Sequence, residues 1–418
     1  MLKAGSLLYA IGICLVMALI TGSIILFSYY NRIQLDDYIL IEKVNKNVIS
    51  GMNYLLTINE MNLNEKKYVD LFAQGNDTVD LELRNWGVFH LAISHSNSKN
   101  IEAGQKALIG NRIPSEDRVA LYFADRNKPI SLCGNTFIMG NCYLPKLGAR
   151  NATIEGQGYS GDLLIHGQVK NSDNSIPSPS KKFIEEIKQN ISINVQNEDS
   201  LIQWEQIQTN SSIFNSFSSP TLFLFSDKPI IIDGRNIMGR VKIVSKKSIK
   251  VLSNSNLDDV ILISPKIELE DNFQGSIQCF ADDSILIGQN CSLRYPSSLN
   301  ILRGDNQLMN SIISLGEKDS IVGDIILYDP YESINKLSLI KVEKDAVITG
   351  QVYTFGAIDI KGKIFGSLFT NKVILVTPSS VYDNYLFNVT IDGSKLSKLY
   401  VGGLWSDINE LEVVKYLN

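Results

Sequence analysis

The amino-terminal part of the chain is continuously apolar. No charged residue occurs from Ala4 to Asn31, a stretch that contains "SLLYAIGICLVMALITGSIILFSYY". A helix needs roughly 20 apolar residues to cross a bilayer, whereas the apolar region of a cleaved signal has about 7–15 residues and ends at a small-residue site. The pattern therefore predicts an uncleaved transmembrane anchor over residues 1–31, with Tyr29 and Tyr30 at a membrane interface.

The hydrophobic period becomes helical and one-sided beyond the anchor. Apolar residues recur there at steps of three and four, which is the spacing of one helix face; they are Ile41, Val44, Val48, Met52 and Leu55. We expect the helix to leave the membrane and continue to about Ile58, as a stalk over residues 32–60. Within the anchor, Ala18 and Gly22 form a small-xxx-small step that is spaced for packing against another membrane helix.

From Tyr68 onward the period becomes two. In "TVDLELRNWGVFHLAISHS" apolar side chains alternate with polar ones, and Gly, Asn and Asp separate the runs, as in strands joined by turns. We predict a β-rich domain over residues 61–180, ended by the exposed Ser-, Asn- and Pro-rich stretch "KNSDNSIPSPSKK". A connecting segment over residues 181–225 follows, and "FIEEIKQNI" near its start is expected to form a short helix.

The second half repeats a short unit: a polar turn residue, a small residue and alternating β-branched side chains. The unit occurs as "KSIKVL", "DSILIG", "DSIVGDI" and "DAVITGQV", starting at Lys247, Asp283, Asp319 and Asp345. A Gly-x-apolar triplet also recurs, at Gly323, Gly350, Gly362 and Gly366. We predict a parallel β-solenoid over residues 226–400, with two coils of about 18 residues in each 36-residue interval. Residues 401–418 are expected to form a C-terminal cap.

Two resemblances follow from these patterns. The segments "SIVGDIILYDP", "AVITGQVYTFGAIDIKGKIFGSLFT" and "DSILIGQNCSL" resemble bactofilins, the polymer-forming bacterial β-helix proteins, which implies stacking and, beyond it, end-to-end assembly. A membrane helix that runs into an amphipathic helix and then a β-rich head resembles type IV pilins and pseudopilins. The prepilin motif is missing, because Ser6 follows Gly5 and Ala10 stands where the motif has Glu.

Charge and cysteines narrow the classes of protein. The net charge is −5 and no basic cluster occurs, which argues against nucleic acid as a partner. Cys133 with Cys142, and Cys279 with Cys291, form two local pairs that suit disulfides in an oxidising compartment. Four unpaired, buried thiols are the alternative. Neither spacing matches a zinc site, since no C-x-x-C occurs, and no cofactor or metal site is predicted.

Candidate catalytic residues are few. The chain has 3 histidines, of which His90 and His95 fall on opposite faces of a strand. The carboxylate pairs Asp258–Asp259 and Asp282–Asp283 are 24 residues apart, about one coil. β-Helix lyases and hydrolases place several aspartates in one groove, as acid and base or as Ca²⁺ ligands, so convergence of these pairs would indicate a carbohydrate-active enzyme. The alternative is that they open turns.

The sequence as a whole predicts a mainly β protein with a single membrane pass in the bacterial inner membrane. The bulk of the chain follows a very short amino-terminal head, so we expect it outside the cytoplasm, in the periplasm or at the surface. The expected role is structural and non-enzymatic, with the membrane, copies of itself or other envelope proteins as partners, and carbohydrate as a further one. A β-helix lyase or hydrolase, and a pseudopilin-like subunit of a pilus or secretion machine, are the two alternatives.

Overall fold

The computed structural model describes residues 4–57, 63–71, 78–191, 199–207, 212–303, 310–330, 337–403 and 410–417. The chain forms two compact units. Unit 1 comprises Met1–Leu83 and Ala92–Gln105, and unit 2 comprises Arg84–Leu91 and Lys106–Asn418. The described chain is mainly β, with one long amino-terminal apolar helix and one large parallel stack of strands, which confirms the predicted fold class.

The helices are α1 (Ala4–Thr57) and α2 (Lys181–Ile191), and short 3-10 turns occur at Trp204–Gln206 and Gly393–Lys395. The first twelve strands are β1 (Lys66–Asp70), β2 (Thr78–Trp86), β3 (Phe89–Ser98), β4 (Ile101–Arg112), β5 (Val119–Phe123), β6 (Ile130–Cys133), β7 (Phe137–Met139), β8 (Asn141–Leu144), β9 (Ala149–Asn151), β10 (Thr153–Ile154), β11 (Gln157–Gly158) and β12 (Val169–Asn171). The next twelve are β13 (Ser200–Gln203), β14 (Ser212–Asn215), β15 (Leu222–Ser226), β16 (Ile230–Ile232), β17 (Asn236–Gly239), β18 (Val241–Ser245), β19 (Ser248–Val251), β20 (Asn256–Ile263), β21 (Lys266–Leu269), β22 (Gln274–Ala281), β23 (Ser284–Ile287) and β24 (Ser292–Leu302). The last ten are β25 (Ile312–Leu315), β26 (Ser320–Tyr328), β27 (Leu339–Val342), β28 (Val347–Ile360), β29 (Lys363–Val376), β30 (Val381–Asp383), β31 (Tyr385–Phe387), β32 (Thr390–Asp392), β33 (Val401–Gly402) and β34 (Leu411–Leu417).

In unit 1, the second half of α1 packs on an antiparallel sheet. Four of the five predicted face residues are buried, and Ile41 is the exception at 45% exposed, because the packed part of the helix begins one turn later, at Val44. Gly51 permits the close approach, since a Cβ there would overlap the Ser94 hydroxyl and lie 2.8 Å from the side chain of Val79. The Ser94 hydroxyl in turn donates a hydrogen bond to the carbonyl of Val48 at 2.9 Å. The predicted end of the helix at Ile58 lies outside the described residues.

Unit 2 is built on a parallel β-solenoid whose coils have three strands. In one coil these are β17, β18 and β19. Toward the next coil, β17 pairs in parallel with the first part of β20, β18 pairs with its last part, and β19 pairs with β21. We call the three sheets that result faces A (from β17), B (from β18) and C (from β19). The predicted 18-residue coil is confirmed at the start, where Ser248, Lys266 and Ser284 stand in register on face C.

The interval of 36 residues has a different origin further along the chain. Ser284 pairs with Ile312 on face C, whereas Ser320 belongs to face A, where it pairs with Ser292 and Val347. The units starting at Asp283 and Asp319 therefore occupy different faces and do not stack. A longer coil between β23 and β25 produces the same spacing as two short coils, which sequence spacing cannot distinguish.

A column of aliphatic side chains and two cysteines runs through the solenoid. The inward residues of face B follow one another in register as Leu224, Ile243, Leu262, Cys279, Leu299, Ile325, Val352, Leu368, Leu121 and Cys142. Each is at most 1% exposed. Because full burial of such an aliphatic side chain contributes about 1.5–3 kcal/mol, the column is a main source of stability.

Residues 119–171 belong to the same stack, which differs from the predicted division at residues 180 and 226. β5 pairs with β29, β8 with β5, and β12 with β8, all in parallel on face B. One coil is composite: β5 supplies face B, while β32 on face A pairs with both β29 and β7. An open strand edge accepts any segment that fits its register, so the edge of β29 is filled by a part of the chain far away in sequence.

The C-terminal segment also differs from the prediction. Within residues 401–418, β33 and β34 pair antiparallel with β4, through Val401 to Arg112 and Leu417 to Lys106, instead of closing an end of the solenoid.

The predicted short helix is confirmed as α2, whose residues Phe183 and Ile187 are buried.

Candidate functional site

The first half of α1 presents an apolar surface with no covering. Large side chains from Leu7 to Tyr30 are more than half exposed, and none of its most apolar window is buried. Two hydroxyls within it are satisfied by the helix itself: Thr21 donates to the carbonyl of Met17 at 2.9 Å and Ser23 to that of Leu19 at 2.8 Å. Such internal pairing is what a helix in lipid requires. α1 is thus long and apolar enough to span a membrane.

The small-residue step in this helix faces open space. Nothing lies within 4 Å of a Cβ placed on Gly22, and Ala18 is exposed. A second helix at this face remains a prediction.

The two aspartate pairs are at different corners of the solenoid. Asp258–Asp259 lies between faces A and B of its coil, where Asp258 stands in register with Ser276 and not with the second pair. Asp282–Asp283 follows the end of β22, at the corner between faces B and C, and is exposed. One whole strand of face B separates the two corners. The structure therefore does not bring the four carboxylates into one groove.

Each member of the first pair has a cation as its neighbour. Asp258 contacts Arg294 at 3.3 Å, and Asp259 accepts a hydrogen bond from Lys415 at 2.7 Å. The Lys415 contact joins β34 to the solenoid. At the second corner, the carbonyl of Asp282 accepts a hydrogen bond from Arg303 at 2.9 Å. These contacts hold the turns and the strand β34 in place, which is a structural role.

The expected disulfides are not formed. Cys133, Cys142, Cys279 and Cys291 are free and buried. Cys133 belongs to a small separate cluster, whereas Cys142 points into the main column, so the first pair is divided between two cores. Cys279 fills a face B position of the column, and the Cys291 thiol contacts the carbonyl of Glu270 at 3.2 Å. Burial raises the pKa of Cys142 to about 12, which makes it an inert, protonated thiol.

Two of the three histidines lie on β3. Their odd spacing puts them on opposite faces of that strand, as predicted. His90 in unit 2 is buried and contacts Glu186 of α2 at 3.0 Å. His95 in unit 1 is 39% exposed and lies 3.9 Å from Asp80. Within the ranges that the structure describes, no group of three or more His, Cys, Asp or Glu side chains is arranged for a metal ion.

A row of polar residues lies on the outer side of face B, and the sequence pattern does not predict it. The Gln278 amide accepts a hydrogen bond from the backbone of Val88 at 2.9 Å and donates to the carbonyl of Trp86 at 3.2 Å. Two coils away, Asp324 accepts from the Tyr400 hydroxyl at 2.7 Å and from the Gly403 backbone at 2.6 Å. These side chains hold the segments 84–91 and 400–403 against the solenoid.

The side chains of this row are largely buried, and burial shifts the pKa values of its ionisable groups. Burial raises the pKa of Asp324 to about 6, against the hydrogen bonds from Gly403 and Tyr400, which lower it. Burial lowers the pKa of Lys242 to about 8, where its ammonium lies 5.8 Å from the centre of the Trp86 ring and 5.5 Å from that of Phe223. The only sequence signal for this row was a polar residue at an outward position of a strand, which ordinarily means solvent.

The comparisons with known proteins give no relative. No family model matches the chain, and no curated protein or solved structure matches it.

Proposed function

We propose that this protein is a membrane-anchored structural component of a bacterial envelope that holds a rigid β-solenoid outside the cytoplasmic membrane. The observation that carries the proposal is the division of α1 into two parts: its first half is apolar and uncovered, and from Val44 onward one face of the helix is packed on a sheet. A helix of this kind joins a lipid-embedded segment rigidly to a folded head.

The solenoid suits a structural role for a physical reason. Its coils contact mainly their neighbours, so the stack is stiff along its axis and can be extended without changing the rest. The resemblance to bactofilins supports stacking as its use. The separation of Asp258–Asp259 from Asp282–Asp283 supports a non-enzymatic role, since the predicted acid and base do not meet.

The proposed topology is tested by labelling single cysteines in cells. In a Cys14→Ser background, Ser379→Cys adds an exposed thiol to unit 2, and Gly5→Cys adds one at the start of α1. We expect a membrane-impermeant maleimide to label Ser379→Cys in spheroplasts, and Gly5→Cys only after lysis. Protease removal of a C-terminal tag should follow the same pattern. Labelling of Ser379→Cys only after lysis would place the solenoid in the cytoplasm and overturn the proposal.

A pseudopilin-like subunit is the second candidate. The division of α1 into an exposed apolar first half and a second half packed on an antiparallel sheet, with Gly51 at the contact, favours it. Its test is deletion of residues 1–30. A pilin-like subunit assembles through this helix and loses its polymers, whereas a solenoid polymer still forms.

A further inference from the structure

A cleft of about 390 Å³ opens in unit 2 beside the corner where face C leads into face A. This volume is at the small end of the roughly 300–1,000 Å³ that ligand sites occupy. The lining comes from two successive coils, through residues 344–345 and 361–363, and from residues 375–378 and 387–388 further along the chain. The cleft thus lies on the side of the solenoid and involves neither Asp258–Asp259 nor Asp282–Asp283.

Three lysines line the cleft. Lys344 lies on one coil, and Lys361 and Lys363 lie on the next, because Val342 and Ile360 are in register. Adjacent strands are about 4.7–4.9 Å apart, so the backbone positions of these lysines lie on neighbouring strands of the stack.

Two of the three ammonium groups are available to a ligand. Lys361 is held between Glu343 at 3.6 Å and the buried Asp359 at 3.9 Å. Lys344 and Lys363 are exposed, and neither has an ion pair within the residues that the structure describes. An exposed ammonium without a partner is a ready site for a carboxylate.

The rest of the lining is both acidic and apolar. The carboxylates of Glu155 and Asp345 can accept hydrogen bonds from hydroxyl groups, and they would repel a ligand that is charged throughout. Leu375, Val376 and Phe387 form an apolar wall against which the C–H face of a sugar ring can pack. Ammonium, carboxylate and apolar groups together select a ring that carries both hydroxyls and an acid.

We propose that this cleft binds an acidic saccharide, a segment of one or two uronic-acid rings. Lys344 and Lys363 bind its carboxylates, Glu155 and Asp345 accept from its hydroxyls, and Phe387 packs on a ring face. The proposal goes beyond the structural role and is independent of the side of the membrane on which the solenoid lies. Binding in this cleft would let a structural protein retain an anionic polysaccharide.

The test is calorimetric titration of the full chain in detergent micelles with digalacturonate. We expect the Lys344→Gln/Lys363→Gln variant to bind at least about tenfold more weakly, because both charge-assisted hydrogen bonds to the ligand's carboxylates are lost. The matched control is Lys247→Gln/Lys266→Gln, which removes two exposed solenoid lysines outside the cleft. It should bind as the wild type does. Both variants change surface side chains, so their melting temperatures should equal that of the wild type.

Further probes separate an acidic sugar from a simple anion. Phe387→Ala should weaken binding of digalacturonate, added salt should weaken it too because the lysines are exposed, and neutral maltose should not bind. Inorganic phosphate should bind less well than digalacturonate. Equal binding of phosphate, indifference to Phe387→Ala, or no binding of digalacturonate at millimolar concentration would overturn the proposal. So would an equal loss in the control variant.

Discussion

Glycine is required at one corner of the solenoid by steric conflict between coils. Gly323, Gly350 and Gly366 stand above one another between faces A and B, with φ of +151°, +153° and +150°. A Cβ on any of them would overlap the backbone carbonyl of the coil beneath. The Gly-x-apolar triplet of the sequence marks this corner, except at Gly362, which lies at the corner between faces C and A.

Gly350→Ala should therefore destabilise unit 2. Both the positive φ and the overlap with the Gly323 carbonyl must be relieved, and we expect a loss of about 1–3 kcal/mol or more. The measurement is the midpoint of denaturant unfolding. Gly158→Ala is the control, because the nearest atom to its Cβ would be 3.6 Å away. If both variants unfold at the same midpoint, the steric account of the corner is wrong.

The Asp324 carboxyl should make stability depend on pH. Burial raises its pKa from 3.8 to about 6, so the folded chain holds this proton at pH values where the unfolded chain has lost it. Stability must then fall as pH rises from about 4 to about 6, by about 3 kcal/mol in all. Asp319, whose pKa burial also raises to about 6, adds in the same direction.

Asp324→Asn should flatten this part of the curve. Unfolding free energies measured between pH 4 and pH 7 give the slope directly. Asp227→Asn removes a carboxylate that is 65% exposed and serves as the control. A slope that is unchanged in Asp324→Asn would mean that the carboxyl ionises in the folded chain as it does in water.

At the level of elements, α1 combines two environments in one uninterrupted helix. Its first half has the composition of a membrane span, and its second half has a face of four buried residues, beginning at Val44. The hydrophobic period distinguishes the two halves because lipid surrounds a helix on all sides whereas a sheet covers one side. The hydrophobic period does not identify Gly51, the residue at the contact with the sheet, because a glycine carries no hydrophobic signal.

Gly51→Leu should separate the stalk from its sheet in unit 1. The larger side chain cannot fit against Ser94, Val79 and Leu81, all of which would lie within 3 Å of a Cβ. We expect amide protons of residues 44–57 to exchange faster in Gly51→Leu, while those of the solenoid keep their protection. Asn53→Leu, which is exposed on the same helix, should leave the exchange unchanged. Protection that stays equal in both variants would contradict the packing.

For the whole molecule, the decisive feature is the composite end of the solenoid. Leu121 and Leu368 are 0% exposed and stand in register on face B, although they are far apart in sequence. β5 comes from the first half of the chain, and β29, the strand with which it pairs, comes from the second half. Residues 119–171 and the solenoid should therefore unfold together.

A double-mutant cycle tests this joint unfolding. Leu121→Ala and Leu368→Ala should each cost about 2–5 kcal/mol, and their combined cost should depart from the sum by about 0.5–3 kcal/mol because the side chains are neighbours. Leu121→Ala with Ile243→Ala, several coils away, should be additive. Additivity in both cycles, or two separate unfolding transitions, would mean that residues 119–171 form their own domain.

The sequence by itself determined the local structure: the apolar helix, the stalk, the strands, α2 and the first 18-residue coils. These depend on which side of a helix or strand is apolar, and that is written in neighbouring residues. Tertiary structure decided which strands stack, as in the composite coil and in the pairing of β34 with β4. It also decided that Asp258–Asp259 and Asp282–Asp283 lie at different corners, that the cysteines stay apart, and that lysines from two coils line one cleft. Strand pairing uses backbone groups that every residue carries, so the sequence pattern does not name the partner.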